Sequence, residues 1–241
     1  MKTILFVALL CVGTAPAHER IAPTPVVITG ADEVRAGKVL AAKFVKANGL
    51  GPTPQITRID KYLQSVGDRV AAHAQRQLPY RFRFDPDPNF KSAVALPGGQ
   101  IFVGGGILAY TDTEDQLAAV LGHEIEHVAL GQCRDRLIQE MTKKHLSAGD
   151  FEKLDLDPFM PSYGQDGEFA ADREGVKLAM EAGYSARAAA RLLQTFVILG
   201  RQMPNTPPET TSNLEARMAQ IQPLVDSQKP EPAERPLALP Q

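Results

Sequence analysis

The chain has 241 residues, 44% of them hydrophobic and 22% charged, which suits one globular domain with extensions at its ends. A formal net charge of −2 excludes the strongly basic surface expected of a nucleic-acid-binding protein. The two cysteines, Cys11 and Cys133, rule out a fold stapled by several disulfides.

The N-terminus has the layout of an export signal. Lys2 is positive, residues 4–12 are almost unbroken apolar sequence, and Ala15-Pro16-Ala17 supplies a small-x-small pattern. Cleavage after Ala17 and a periplasmic or secreted chain are therefore expected. The apolar run is shorter than the ~20 residues needed to span a bilayer, so no transmembrane span is expected in the mature chain. Lipidation at Cys11 is the weaker alternative, because Leu10 stands where a small residue is needed. After cleavage Cys133 is the remaining thiol, expected as a small buried hydrophobe.

Residues 18–54 read as a leader followed by a helix over 31–48, ended by Gly49 and Gly51-Pro52. A second helix starts near Gln55, carries Ile59, Leu63, Val66 and Val70 at helical spacing, and stops before Pro79. Residues 80–84 alternate strictly and predict a strand. Residues 90–96 form another extended run, Pro97-Gly98-Gly99 a turn, and residues 101–103 a third strand. Together they predict a small antiparallel sheet. Thr113 and Gln116 form a capping-box pattern that opens a helix over 114–130. Helices are then expected over 134–145, 165–180, 186–199 and 213–221, with a polar surface loop at 146–162. The stretch 203–212 contains Pro204, Pro207 and Pro208 and reads as a loop. The tail, 222–241, is proline-rich without apolar periodicity and reads as disordered.

The chemistry concentrates in Leu121-Gly122-His123-Glu124-Ile125-Glu126-His127-Val128. On a helix, His123 and His127 lie about 40° apart on one face and one turn apart along the axis, so both imidazoles can reach one zinc ion. Glu124 is rotated about 100° from His123 and sits where it can take a proton from a metal-activated water. Glu126 points away from the pair. The flanking Leu117, Val120, Leu121, Ile125, Val128 and Leu130 predict a buried helix. The pentapeptide alone also fits two histidines satisfied in a core. A catalytic zinc site needs a third protein ligand and an open position. Glu168 and Asp172, at i and i+4 on a later helix, offer one: Glu168 as ligand and Asp172 as acceptor for a histidine ring N–H. The competing reading makes both part of a solvated acidic face. His73 and His145 read as exposed.

The order Ala95-Leu-Pro-Gly-Gly-Gln-Ile-Phe-Val103, then His123-Glu-Ile-Glu-His127, then Glu168-Phe-Ala-Ala-Asp172 resembles the CAAX prenyl endopeptidase/HtpX family of gluzincin metallopeptidases. The likeness covers roughly residues 55–221 and is to its soluble exported members. It implies that Glu168 is the third zinc ligand, that Asp172 orients a ligating histidine, and that the strand at 100–103 is the rim against which an extended substrate pairs. Three positions depart from the pattern. Ser92 stands where the family has Asn, Gln132 where it often has a histidine, and Asn205-Thr206-Pro207 where it has His-Pro. Arg217 matches the family's late arginine and is a candidate donor to the reacting carbonyl; Tyr163 reads as structural.

The expectation is thus an α+β, zincin-like fold, mainly helical, with a small antiparallel sheet beside the metal-binding helix. The domain proper covers 55–221, and the function is that of a zinc endopeptidase acting on exported or misfolded polypeptides in extended conformation. Zinc would polarise the scissile carbonyl, and Glu124 would take the proton of the attacking water and pass it to the leaving amine. The rival is a weakly active or inactive zinc-holding chaperone or assembly factor on the same fold.

Overall fold

The computed structural model describes residues 26–202 and 207–240. The export signal with its cut after Ala17, Cys11, and Asn205 and Thr206 lie outside the described residues. Eight helices and three short strands follow in the order α1 (Gly30–Ala47), α2 (Pro54–Ala71), β1 (Arg81–Asp85), β2 (Ala93–Leu96), β3 (Gln100–Gly104), α3 (Gly105–Leu108), α4 (Glu114–Ala129), α5 (Gln132–Lys143), α6 (Gly164–Glu181), α7 (Ala186–Gln202) and α8 (Pro208–Ser227). No helix among the described residues is long and apolar enough to cross a membrane.

Local signals explain most starts and stops. Thr53 accepts from the Ile56 N–H and Pro54 occupies the first turn, so α2 opens where its backbone donors are already satisfied. Ile59, Leu63, Val66 and Val70 are all buried, a helical stripe in which each side chain contributes roughly 1.5–3 kcal/mol. The reciprocal Thr113–Gln116 capping box opens α4 as its spacing predicts.

The sheet is mixed, which corrects the antiparallel expectation. Its order is β1-β3-β2, with β2 antiparallel and β1 parallel to β3. Pro97, Gly98 and Gly99 make the turn between β2 and β3, with Gly98 at φ 69° and Gly99 at φ 85°, so this tight connection forces an antiparallel pair. β1, one strand earlier in the chain, joins the far side of β3 after the 86–92 connection and runs the same way. β3 is therefore the central strand, paired on both sides, and cannot serve as a rim for a substrate. The Ser92 C=O accepts from the Gly104 N–H, so alternation turns the Val94 and Leu96 backbone groups toward β3 and those of Ala93 and Ala95 outward.

The two edges differ. On β1, Gln64 of α2 accepts from the Phe82 N–H at 3.2 Å and donates to the Tyr80 C=O at 3.0 Å, while Asp60 accepts from the Phe84 N–H at 2.7 Å. On β2, the outward Ala93 N–H has no hydrogen-bond partner among the described residues.

The N-terminal helix is integral to this body. Leu40 and Phe44 of α1 pack with Leu96 and Phe102, whose ring stacks on that of Phe44 at 4.1 Å. The 146–162 stretch is less polar in practice than in composition: Leu146, Phe151, Leu154 and Phe159 are buried in the same cluster. The tail also differs from its reading. α8 runs on to Ser227, and residues 228–240 fold back across the start of α4, where Arg235 donates its N–H to Asp115 and Thr113 bridges to Pro236. Leu237 and Leu239 lie against the main core. Isolated side-chain and backbone partners, which leave no periodicity in the sequence, hold this segment.

Candidate metal centre

α4 and α6 cross with glycine against glycine. A Cβ on Gly122 would meet the Gly175 carbonyl oxygen at 2.5 Å, and one on Gly175 would meet the His123 nitrogen at 2.6 Å. The bare crossing brings the backbones close enough for Glu168 and Asp172 of α6 to reach the histidines of α4. His127, Glu124, Glu168 and Asp172 are buried, and His123 nearly so.

The two imidazoles face each other, with Nε2 of His123 2.9 Å from Nε2 of His127. Glu168 touches both: Oε2 lies 3.4 Å from His123 Nε2, and Oε1 3.8 Å from His127 Nε2. Glu168 Oε1 also accepts from the Tyr163 N–H at 3.1 Å. Behind the histidines, His123 Nδ1 is 2.8 Å from Asp172 Oδ1, and His127 Nδ1 is 2.6 Å from Gln132 Oε1. Donor atoms of His123, Glu124 and His127 also lie within 4.8 Å of one another, so the distances bring both carboxylates to the centre.

The charges follow from this packing. Burial opposes a charge on His123, but Asp172 and Glu168 outweigh it and raise its pKa to about 9. Burial, then the His123 charge, holds His127 well below the ordinary imidazole range. Burial would raise Asp172, but the bonds from Arg217 and His123 overcome it and hold the carboxyl far below the usual carboxylate range. Burial pushes Glu124 up to about 7, partly offset by His123, Arg217 and the N–H of Ala95, which donates to it from β2.

These donors fit a metal ion. His127 Nδ1 faces the Gln132 oxygen and a carboxylate oxygen of Asp172 lies 2.8 Å from His123 Nδ1, so the two Nε2 atoms converge with two carboxylate oxygens, an arrangement that a cation between them makes favourable. A proton on His123 is one such cation and a metal is another. Tetrahedral zinc with Zn–N bonds of about 2.0–2.1 Å sets its ligands about 3.3–3.4 Å apart, a value that the separations of 2.9, 3.4 and 3.8 Å bracket.

The remaining candidates fall into place around this centre. Arg217 of α8 donates from Nε and Nη2 to the two oxygens of Asp172, at 2.6 and 2.7 Å, and its Nη1 lies 3.6 Å from Glu168. The guanidinium is thus engaged with the carboxylate that backs His123. The Tyr163 ring packs on His127 at 4.6 Å, while its hydroxyl donates to Cys133 Sγ. Cys133 is fully buried, and burial pushes its thiol up to about 12. His73 and His145 are exposed. Glu126 points away from the pair but is buried rather than on the surface, and burial together with Glu174 raises it to about 7. Leu130, expected in the buried helix, is 43% exposed just past its end.

Two contributors escaped the sequence reading. One is Gln132, visible only as a departure from a family pattern. The other is the backbone N–H of Ala95, which has no side-chain signature.

The centre opens into a cleft of about 380 Å³. β2 and residues 159–163 line it, and Val120 of α4 with Leu192, Leu193 and Phe196 of α7 forms an apolar wall. Residues 58–225 match Peptidase family M48. The beta-barrel assembly-enhancing protease of Escherichia coli (strain K12) is 25% identical over 210 residues, covering 76% of this chain and 42% of that protein. That of Yersinia pestis is 24% identical over 198 residues, covering 72% and 40%. The mitochondrial metalloendopeptidase OMA1 of Schizosaccharomyces pombe is 56% identical over 43 residues, 18% of this chain and 12% of that protein. The chain thus spans about two fifths of the length of the assembly-enhancing proteases it matches. It belongs to peptidase family M48, the gluzincin metallopeptidases, and carries that family's metalloendopeptidase domain.

Proposed function

We propose that the chain is a zinc-dependent endopeptidase in which His123, His127 and Glu168 hold the metal and Glu124 is the general base. The observation that carries this reading is the convergence of two imidazole Nε2 atoms 2.9 Å apart with a carboxylate oxygen on each. Bound zinc supplies polarisation of the scissile carbonyl and a lowered pKa for the attacking water. Glu124, buried and held by the Ala95 N–H, takes the proton from that water and hands it to the leaving amine. Asp172, clamped by Arg217, fixes the His123 ring.

Substrate lies extended along β2, where the Ala93 N–H faces outward beside the cleft. Main-chain pairing of this kind tolerates many sequences, and selection falls to pockets for alternate side chains. The wall of Val120, Leu192, Leu193 and Phe196 selects a large apolar side chain next to the scissile bond. The export signal and the name of the assembly-enhancing relatives point to exported or misfolded envelope proteins as substrates and to a periplasmic or secreted location.

One observation favours a second reading, a weakly active zinc-holding chaperone or assembly factor: Arg217, the candidate donor to the reacting carbonyl, spends Nε and Nη2 on Asp172. Metal content and casein-type proteolysis of the purified mature chain separate the two. About one zinc per chain with steady proteolysis supports the peptidase, whereas zinc without proteolysis supports the assembly factor. Unchanged zinc in a His123→Ala, His127→Ala double variant rejects the ligand assignment in both.

A further inference from the structure

The two histidines are backed differently. Behind His123 stands a charged pair, Asp172 with Arg217. Behind His127 stands a neutral amide, Gln132, and nothing in its residue type says which way round it acts. An amide can accept through its oxygen or donate through its nitrogen. If the nitrogen faced His127 Nδ1, it would drive the ring proton onto Nε2, the atom aimed at Glu168 and His123, and no metal could bind there.

The surroundings decide the orientation. Gln132 Nε2 lies 3.3 Å from the carbonyl oxygen of Gly167, a group that can only accept. The amide nitrogen must therefore face Gly167, the amide oxygen must face His127, and His127 Nδ1 must carry the hydrogen. The Nε2 lone pair is then free and points into the centre.

Local structure places Gln132 for this task. Gly131, at φ 81°, makes a left-handed turn between α4 and α5, so the first residue of α5 comes back beneath His127, one turn after it. Gly167 directly precedes Glu168, and a Cβ there would press on Tyr163 at 2.8 Å and approach Gln132 at 3.5 Å. The relay from Gly167 through Gln132 to His127 thus ties the glutamate-bearing helix to the histidine-bearing one.

From this geometry we infer that Gln132 is a positioning residue: it fixes the tautomer of His127 with Nε2 unprotonated, through a relay whose direction the Gly167 carbonyl determines. The inference rests on the reading that His127 holds zinc. It gives a neutral partner to one ligand while an ion pair serves the other, so a net charge is not required behind both rings.

The test measures zinc affinity of the full mature chain by chelator competition, beside the melting temperature of each protein stripped of metal. Gln132→Leu keeps the volume and removes the acceptor; its zinc affinity is expected to fall about 10–100-fold. Gln132→Glu restores an acceptor for His127 Nδ1 and is expected to recover most of that loss, although it cannot donate to Gly167. A purely structural role moves the melting temperatures of both variants and leaves Gln132→Glu as weak in zinc as Gln132→Leu; that pattern overturns the inference. Gln132→Leu binding zinc like the parent also overturns it, while the metal reading stands. A parent chain that holds no zinc overturns both.

Discussion

The sheet has two edges, and the fold treats them in opposite ways. β1 is closed by side chains: Gln64 and Asp60 of α2 take up the Phe82 and Phe84 N–H groups and the Tyr80 carbonyl, doing what a fourth strand would do. β2 is left with the Ala93 N–H turned outward beside the cleft, and its next outward residue, Ala95, gives its N–H to Glu124. An exposed strand edge invites pairing with any chain, so proteins block the edges they do not use. Here the blocked edge faces away from the histidines and the open one runs into them. On the proposed function the difference assigns β2 as the substrate-binding edge and gives one strand two purposes, with Ala93 toward substrate and Ala95 toward the proposed base.

Three substitutions test this contrast. Ala93→Pro has the largest expected effect. It removes an outward N–H without touching the β3 ladder, since proline is tolerated on a strand edge at such a position. Losing one hydrogen bond worth about 0.5–1.5 kcal/mol, together with the steric bulk of the ring, should lower kcat/KM by about tenfold or more. Zinc content should stay at the parent value, so metal analysis run with the kinetics separates lost docking from a damaged centre. Unchanged kcat/KM would place the substrate elsewhere.

Phe196→Ala tests the apolar wall beside that edge. Peptides with a large apolar residue next to the cleaved bond should lose roughly tenfold in kcat/KM, consistent with about 1–3 kcal/mol for apolar fit in a pocket. Peptides with alanine there should change little. Equal losses on both peptide sets, measured side by side, would remove Phe196 from substrate selection.

The smallest effect belongs to the closed edge. Asp60→Ala uncaps the Phe84 N–H and should cost about 1 kcal/mol of stability, read as a drop of a few degrees in melting temperature. kcat/KM should not move. A loss of catalysis as large as that of Ala93→Pro would show that the two edges are not functionally distinct.

How far the sequence carried depended on the range of each signal. That His123, Glu124 and His127 lie together is legible because their spacing is set within one helix; Glu168 and Asp172 share a face by their i, i+4 spacing, but only the crossing of α4 and α6 brings them to the histidines. Helix starts such as Thr113 with Gln116 were legible for the same local reason. The parallel partnership of β1 with β3 was not, because nothing in residues 81–85 encodes which side of β3 they join; packing of α2 decides it. The pattern at 100–103 therefore points to a strand that the fold pairs on both sides. The tail is hidden for a related reason: Arg235 is held by Asp115, the Glu114 N–H and the Tyr184 ring, and Glu234 by Arg191, all far away in the sequence, and such contacts leave no period. Position alone suggests Arg217 as a donor to substrate; its Nε and Nη2 bond Asp172, a pairing visible only once α6 and α8 are side by side.

In the proposed peptidase Glu124 moves protons while His123, His127 and Glu168 hold the metal. Glu124→Gln, loaded with zinc and assayed for metal content and peptide hydrolysis on the same preparation, tests it most directly. About one zinc per chain is expected, as in the parent, with kcat lowered by about 10²–10⁴-fold for loss of a general base. Near-normal hydrolysis would contradict the role given to Glu124, and loss of the metal would make Glu124 a ligand in place of Glu168.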